Sequence, residues 1–154
     1  MRFLRTASEP KVLTPAEVEE LCSRLDGACS AAPIVLLYLH GAHARGTQGP
    51  LSDLDIAVLL EEAVAQERES SLDILLSLQA LCGREDVDLV VLNTAGPIIR
   101  SRIVRSGRLV YARSERDRVI FEAAAIKEAL DFQYFSRVYD EALFRQIAEG
   151  RFLG

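Results

Sequence analysis

The chain has 154 residues, 49% of them apolar and 27% charged, a length that fits one compact domain and a balance that excludes a mainly disordered chain. Its net charge of -5 leaves no broad basic surface, which argues against a general nucleic-acid binder. No apolar run reaches the ~18–20 residues that cross a bilayer, and residues 1–10 lack the apolar stretch of a secretory leader, so a cytoplasmic protein without membrane contact is expected. Three cysteines, Cys22, Cys29 and Cys82, are an odd number with no CxxC pair, so neither a disulfide framework nor a zinc site is expected.

Residues 1–13 read as a loose arm and 14–154 as a single domain, with a core over about 34–112 and a helical part over 114–149. Thr14, Pro15 and Glu17 form a capping box that opens a helix. Val18, Leu21, Cys22, Leu25 and Cys29 follow at helical spacing, which makes the cysteines core residues. The continuous apolar run Ile34–Leu39 reads as a strand buried on both faces, ending at His40 and a glycine turn. A turn-rich stretch, Gly41 to Pro50, precedes a second strand over about Leu54–Leu60. Residues 66–82 form an amphipathic helix stopped by Gly83, and Val87–Leu92 is a third strand. Gly96-Pro97 starts a helix that runs to about Ser106, Arg108–Tyr111 is a short fourth strand, and Ser114 to Glu149 reads as helix with a break near Asp131. The fold class is α/β: a small mixed sheet with helices packed on it.

The chemistry concentrates between Gly41 and Asp55. Asp53 and Asp55 stand at i and i+2 of a strand and project from one face, where two anions repel unless a cation compensates them. Hard oxygen ligands of this kind suit Mg²⁺. Asp88 lies inside the apolar run Val87–Val91, where an acid is costly unless paired or metal-bound. If the third strand adjoins the second, Asp88 completes a three-carboxylate site. Gly41 lets backbone approach a ligand closely, and the amides that follow it can meet an anion. A phosphate held there beside metal-binding carboxylates suits in-line displacement at phosphorus.

Gly41-Ala42-x10-Asp53-x-Asp55 resembles the Gly-Ser-x10-Asp-x-Asp motif of the DNA polymerase β-like nucleotidyltransferases. The string Leu39-His40-Gly41-Ala42-His43-Ala44-Arg45-Gly46, then Ser52 to Val58, looks like the minimal (MNT) branch, and Val87-Asp88-Leu89-Val90 matches its third carboxylate strand. Ile99 to Tyr111 and Arg118 to Glu122 are similar to MNT antitoxins of HEPN–MNT toxin–antitoxin pairs. The resemblance covers about residues 34–140. It implies a polymerase β-like fold and transfer of AMP from ATP, with Mg²⁺, onto a tyrosine of a partner HEPN ribonuclease encoded by an adjacent gene. A second copy of the chain is the other candidate partner.

Carried over by position, Asp53 and Asp55 would hold the metals and triphosphate. Asp88 would be the third ligand and activate the incoming hydroxyl. Gly41, Ala42, His43 and Arg45 would line the nucleotide, with Arg45 either organising the loop or contacting phosphate. The chain departs from the family at Ala42, where a serine hydroxyl is expected to bond phosphate. Losing such a bond costs about 1.5–3 kcal/mol, or roughly ten- to a hundred-fold in rate. The implied alternative is a weakened domain that neutralises its toxin by binding alone. His43 either donates to phosphate in the serine's place or is an exposed loop residue without a task. His40 reads as strand-end packing and Ser52 as a turn-closing hydroxyl.

Seven of the 18 basic residues fall between Arg100 and Arg118, which reads first as a solvated helix face. Phe132, Phe135 and Tyr139 recur at i, i+3 and i+7, which reads first as core packing and second as a partner or dimer surface.

Overall fold

A computed structural model describes residues 12–49 and 52–151. Nearly all of the arm expected over residues 1–13 lies outside this range. The elements in chain order are α1 (Pro15–Cys29), β1 (Ile34–His40), α2 (Gly41–Arg45), β2 (Leu54–Leu60), α3 (Glu62–Ala65), α4 (Arg68–Cys82), β3 (Val87–Val91), α5 (Pro97–Ser106), β4 (Arg108–Ala112) and α6 (Glu115–Ala148). The four strands form a mixed sheet in the order β3-β2-β1-β4, with β1 antiparallel to β2 and β4, and β2 parallel to β3. The parallel pair requires a crossover, which α3 and α4 provide. Among the described residues, no helix is long and apolar enough to cross a membrane.

Strand alternation sorts the core into two layers. Leu37, Leu39, Leu54, Ile56, Val58 and Leu60 pack with Val18, Leu21, Cys22, Leu25 and Cys29 of α1 and with Leu78 and Cys82 of α4. Tyr38 and Ala57 face the other way, toward Leu92, Ile103 and Phe121. The Thr14–Glu17 capping box forms as the sequence predicts, with Glu17 N–H donating to Thr14 Oγ1 at 3.3 Å and Thr14 N–H to Glu17 Oε2 at 2.8 Å. Tyr38, only 1% exposed, donates its hydroxyl to Glu122 Oε1 at 2.9 Å, and Arg118 Nη1 donates to Glu122 Oε2 at 2.7 Å. This chain of bonds fastens α6 to the middle of β1.

The expected break near Asp131 does not occur. No glycine or proline interrupts Glu115–Ala148, so 34 residues continue as one helix about 50 Å long. Its first half packs on α5 and buries Ala125 and Ala129. Beyond Ala129 it runs past the body, and the aromatic stripe is solvent-facing: Phe132, Phe135 and Tyr139 are 51%, 68% and 69% exposed. Core packing is therefore the wrong reading of that stripe. Helical spacing identifies the face, but the sheet below has already ended. Several of the clustered arginines bond within the chain rather than only facing solvent. Arg100 donates to the carbonyls of Leu92 (2.8 Å) and Asn93 (2.7 Å) and to Glu128 (2.9 Å), and Arg108 forms a fork with Glu19 (2.7 Å to each oxygen).

Candidate active site

At the end of the sheet where β1 runs into α2, register brings three polar residues into a row. His40 of β1 stands opposite Asp55 of β2, and Asp55 stands opposite Asp88 of β3. Neighbouring strands lie about 4.8 Å apart, so the three side chains start side by side on the sheet face that carries Tyr38, Ala57 and Val90 farther along. The expectation that the third carboxylate strand adjoins the second is met.

Gly41 closes the row from above. Its φ of +67° belongs to the left-handed region, and a Cβ built there would lie 2.0 Å from Asp55 Oδ2. The carboxylate of Asp55 thus occupies the space that a side chain at 41 would need. Burial pushes the Asp55 carboxyl above its ordinary range; Asp88 and Asp53 push the same way, while His40 and His43 oppose them. Asp53 lies just ahead of β2 and is exposed. Ahead of it, Ser52 closes a turn as expected, its Oγ accepting the Gly49 N–H at 2.8 Å.

Asp88 departs from the sequence reading in its surroundings. β3 is the edge of the sheet and Asp88 is exposed, so its carboxylate keeps its water and needs no partner to offset burial. His43 departs too: it is only 4% exposed, which rules out an idle surface residue. Burial lowers its pKa, as does the charge of Arg84, against a hydrogen bond to the backbone of Asp53. Nδ1 of His43 and Nε2 of His40 are buried with no hydrogen-bond partner among the described residues. Ala42 lies in the first turn of α2, its carbonyl accepting the Thr47 N–H at 3.0 Å, and Arg45 at the end of α2 is exposed.

Two residues that sequence reasoning passed over belong to this end of the sheet. Arg84 and Asp86, in the loop before β3, form an ion pair, and Leu54 N–H donates to the Asp86 carbonyl at 2.9 Å. The only signal in the sequence is a pair of opposite charges two residues apart after Gly83.

The donor set is chemically suited to a divalent cation: hard carboxylate oxygens at Asp53, Asp55 and Asp88, beside a glycine with no side chain to obstruct the approach. Among the described residues, no three His, Cys, Asp or Glu side chains are drawn together tightly enough to grip an ion as they stand. The backbone register fixes the row of His40, Asp55 and Asp88.

A family model described as polymerase β, nucleotidyltransferase, matches residues 27–116. The chain belongs to this family. The matched stretch contains every residue of the glycine turn and all three aspartates. The nucleotidyltransferase chain is also similar to protein adenylyltransferase MntA of Shewanella oneidensis, 31% identical over 107 residues, which cover 64% of this chain and 66% of that relative. It thus spans just under two thirds of the relative's length. A toxin–antitoxin crystal structure with AMP-PNP matches the fold with a TM-score of 0.64 at 23% identity, over 86% of this chain and 99% of the other. A structure of the tri-AMPylated Shewanella oneidensis HEPN toxin in complex with MNT antitoxin gives a TM-score of 0.60 at 19% identity, over 84% and 97%. At these identities the likeness is one of fold.

Proposed function

We propose that this nucleotidyltransferase is an antitoxin that transfers AMP from ATP, with Mg²⁺, onto a tyrosine of a partner HEPN ribonuclease encoded nearby in the same cytoplasm, and so silences it. One observation carries the reading: the Asp55 carboxylate fills the space above Gly41 while register sets Asp88 beside it. A purely structural aspartate pair has no need of a side-chain-free residue pressed against it. The similarity to an adenylyltransferase MntA and the fold shared with toxin–antitoxin structures point the same way.

In this reading Asp53, Asp55 and Asp88 hold the cation, which when bound supplies charge neutralisation for the triphosphate and the departing pyrophosphate. Gly41 admits the phosphates close to main chain, with Ala42 and His43 presenting backbone amides and Arg45 at the rim. Asp88, exposed at the sheet edge, is open to an acceptor arriving on another protein and takes the proton of the tyrosine hydroxyl. The phenolic oxygen bonds to the α-phosphorus as the bond to pyrophosphate breaks, so AMP ends on tyrosine and pyrophosphate leaves. The second reading, neutralisation by binding alone, is favoured by Ala42, which offers no hydroxyl to phosphate.

Incubation with α-labelled ATP, Mg²⁺ and the HEPN protein of the neighbouring reading frame separates the two. Label is expected on the partner, and Ala42→Ser is expected to raise the rate about ten- to a hundred-fold. Absence of label from the natural chain, with strong labelling by Ala42→Ser, would leave the binding-only reading. Neutralisation unchanged in an Asp53→Asn/Asp55→Asn chain would do the same.

A further inference from the structure

The parallel pairing of β2 with β3 is fastened at each end by a side chain that bonds to main chain. At the end away from the aspartates, Asn93 Nδ2 donates to the Leu60 carbonyl at 3.0 Å and its Oδ1 accepts the Leu60 N–H at 2.9 Å. At the aspartate end, Arg84 donates to both carboxylate oxygens of Asp86, from Nε at 2.7 Å and from Nη2, and Nη2 also reaches the Ser52 carbonyl at 3.4 Å. The Arg84 side chain is 12% exposed and that of Asp86 34%, so the fork is buried on its arginine side and meets water on its carboxylate side.

The pairing needs such pins. β2 is apolar at nearly every position and faces core on both sides. A one-residue slip of β3 would turn Asp88 into the helix-covered core, but a two-residue slip keeps every side chain on its own face, so the hydrophobic pattern does not by itself fix the pairing. The same slip would carry Asp88 away from Asp55. Arg84 grips the residues that lead into both strands, Ser52 before β2 and Asp86 before β3. Its charge also acts on His43.

We propose that Arg84 is a positioning residue for nucleotidyl transfer: by its grip on Asp86 and Ser52 it sets the strand register that stands Asp88 opposite Asp55. The inference rests on the reading that these carboxylates hold metal and nucleotide. Asn93 supplies the control, since it pins the same two strands at the end remote from the site.

The test uses the full chain with Arg84→Lys, Arg84→Met, Asp86→Asn and Asn93→Ser, and two readouts. Binding of Mn²⁺ with AMP-PNP is followed by the Mn²⁺ spin-resonance signal, and protection of the Leu54 amide by hydrogen exchange. Both Arg84 variants and Asp86→Asn are expected to weaken binding by roughly 10- to 100-fold and to lose protection at Leu54 while β1 and β4 stay protected. Arg84→Lys keeps the charge without the fork and is expected not to rescue. The Arg84→Met/Asp86→Asn pair is expected to cost no more than either change alone. Asn93→Ser is expected to lose protection near Leu60 and to bind as the natural chain does.

Natural binding in Arg84→Lys and Arg84→Met, or equal weakening by Asn93→Ser, would overturn the proposal. So would loss of protection spread evenly over the sheet. If the natural chain bound no Mn²⁺ with AMP-PNP, the nucleotidyl-transfer reading would fall, and the exchange pattern would still decide whether Arg84 sets the register.

Discussion

Gly41 and Asp55 share one volume: the carboxylate of one lies where the Cβ of the other would be, 2.0 Å from Oδ2. Gly46 has the same φ of +67°, but nothing lies within 4 Å of the point a Cβ would take there, so the two glycines separate backbone strain from site obstruction. Alanine at either position costs about 1–2 kcal/mol of left-handed strain. Gly41→Ala must in addition displace Asp55, and a misplacement of about 1 Å costs on the order of 10²-fold in rate. Denaturant melts are expected to shift further in Gly41→Ala than in Gly46→Ala, which carries the backbone strain alone, while labelled-AMP transfer falls only in Gly41→Ala. Equal activities would show that the contact has no part in the chemistry.

Asp55→Asn is expected to stabilise the nucleotide-free protein as it removes activity. Burial raises the Asp55 carboxyl, with Asp88 and Asp53 acting in the same sense, so its charged form is the disfavoured one in the fold. An acid raised on folding binds its proton more tightly folded than unfolded, so stability falls as pH rises past the unfolded value, near 3.8. At pH 7 the asparagine escapes that cost. A gain of roughly 0.5–2 kcal/mol in urea unfolding is expected at pH 7, shrinking toward pH 4. A loss of stability at pH 7 would mean that the charged Asp55 is favoured in the fold.

The thiols make a second pH-dependent case. Burial pushes Cys29 up to about 12 and Cys82 up to about 11, and raises Cys22 as well. Their contribution to stability is complete below the unfolded value, near 9, and is lost as pH climbs through the folded values. At pH 8 an aromatic disulfide reagent is expected to leave all three unreacted in the native protein and to count three in denaturant. Rapid reaction of Cys29 in the native state would contradict its place between α1 and the sheet.

Polar substitution along the far half of α6 tests its isolation. Phe135→Ser or Tyr139→Ser is expected to change stability by no more than about 0.5 kcal/mol, against roughly 2–5 kcal/mol for Leu25→Ala in the core. A loss above about 1.5 kcal/mol at Phe135 would mean that another chain covers the stripe in solution.

The parts legible in the sequence are those set by local pattern. The run Ile34–Leu39 gave a strand buried on both faces, Thr14-Pro15-x-Glu17 gave a capped helix, and the glycine turn with Asp53 and Asp55 marked the family and the end of the sheet where its chemistry would lie. What escaped depends on distant pairing. The grip of Arg84 on Asp86 and Ser52 exists only once β2 and β3 have met, and the burial of His43 only once α2 folds against the sheet. The stripe of Phe132, Phe135 and Tyr139 has the spacing of a core face, and spacing carries no information about whether a layer exists beneath it. The exposure of Asp88 follows from β3 being an edge, a property of strand order rather than of the run Val87–Val91.

The central claim is that Asp53, Asp55 and Asp88 act together beside Gly41 on a metal-bound nucleotide. Titration calorimetry of the natural chain with AMP-PNP, with Mg²⁺ and then with a chelator, tests it most directly. The account predicts a saturable heat that needs Mg²⁺, persists in Gly46→Ala, and is lost in Asp55→Asn and in Gly41→Ala. Magnesium-independent binding, or binding untouched by Asp55→Asn, would contradict it.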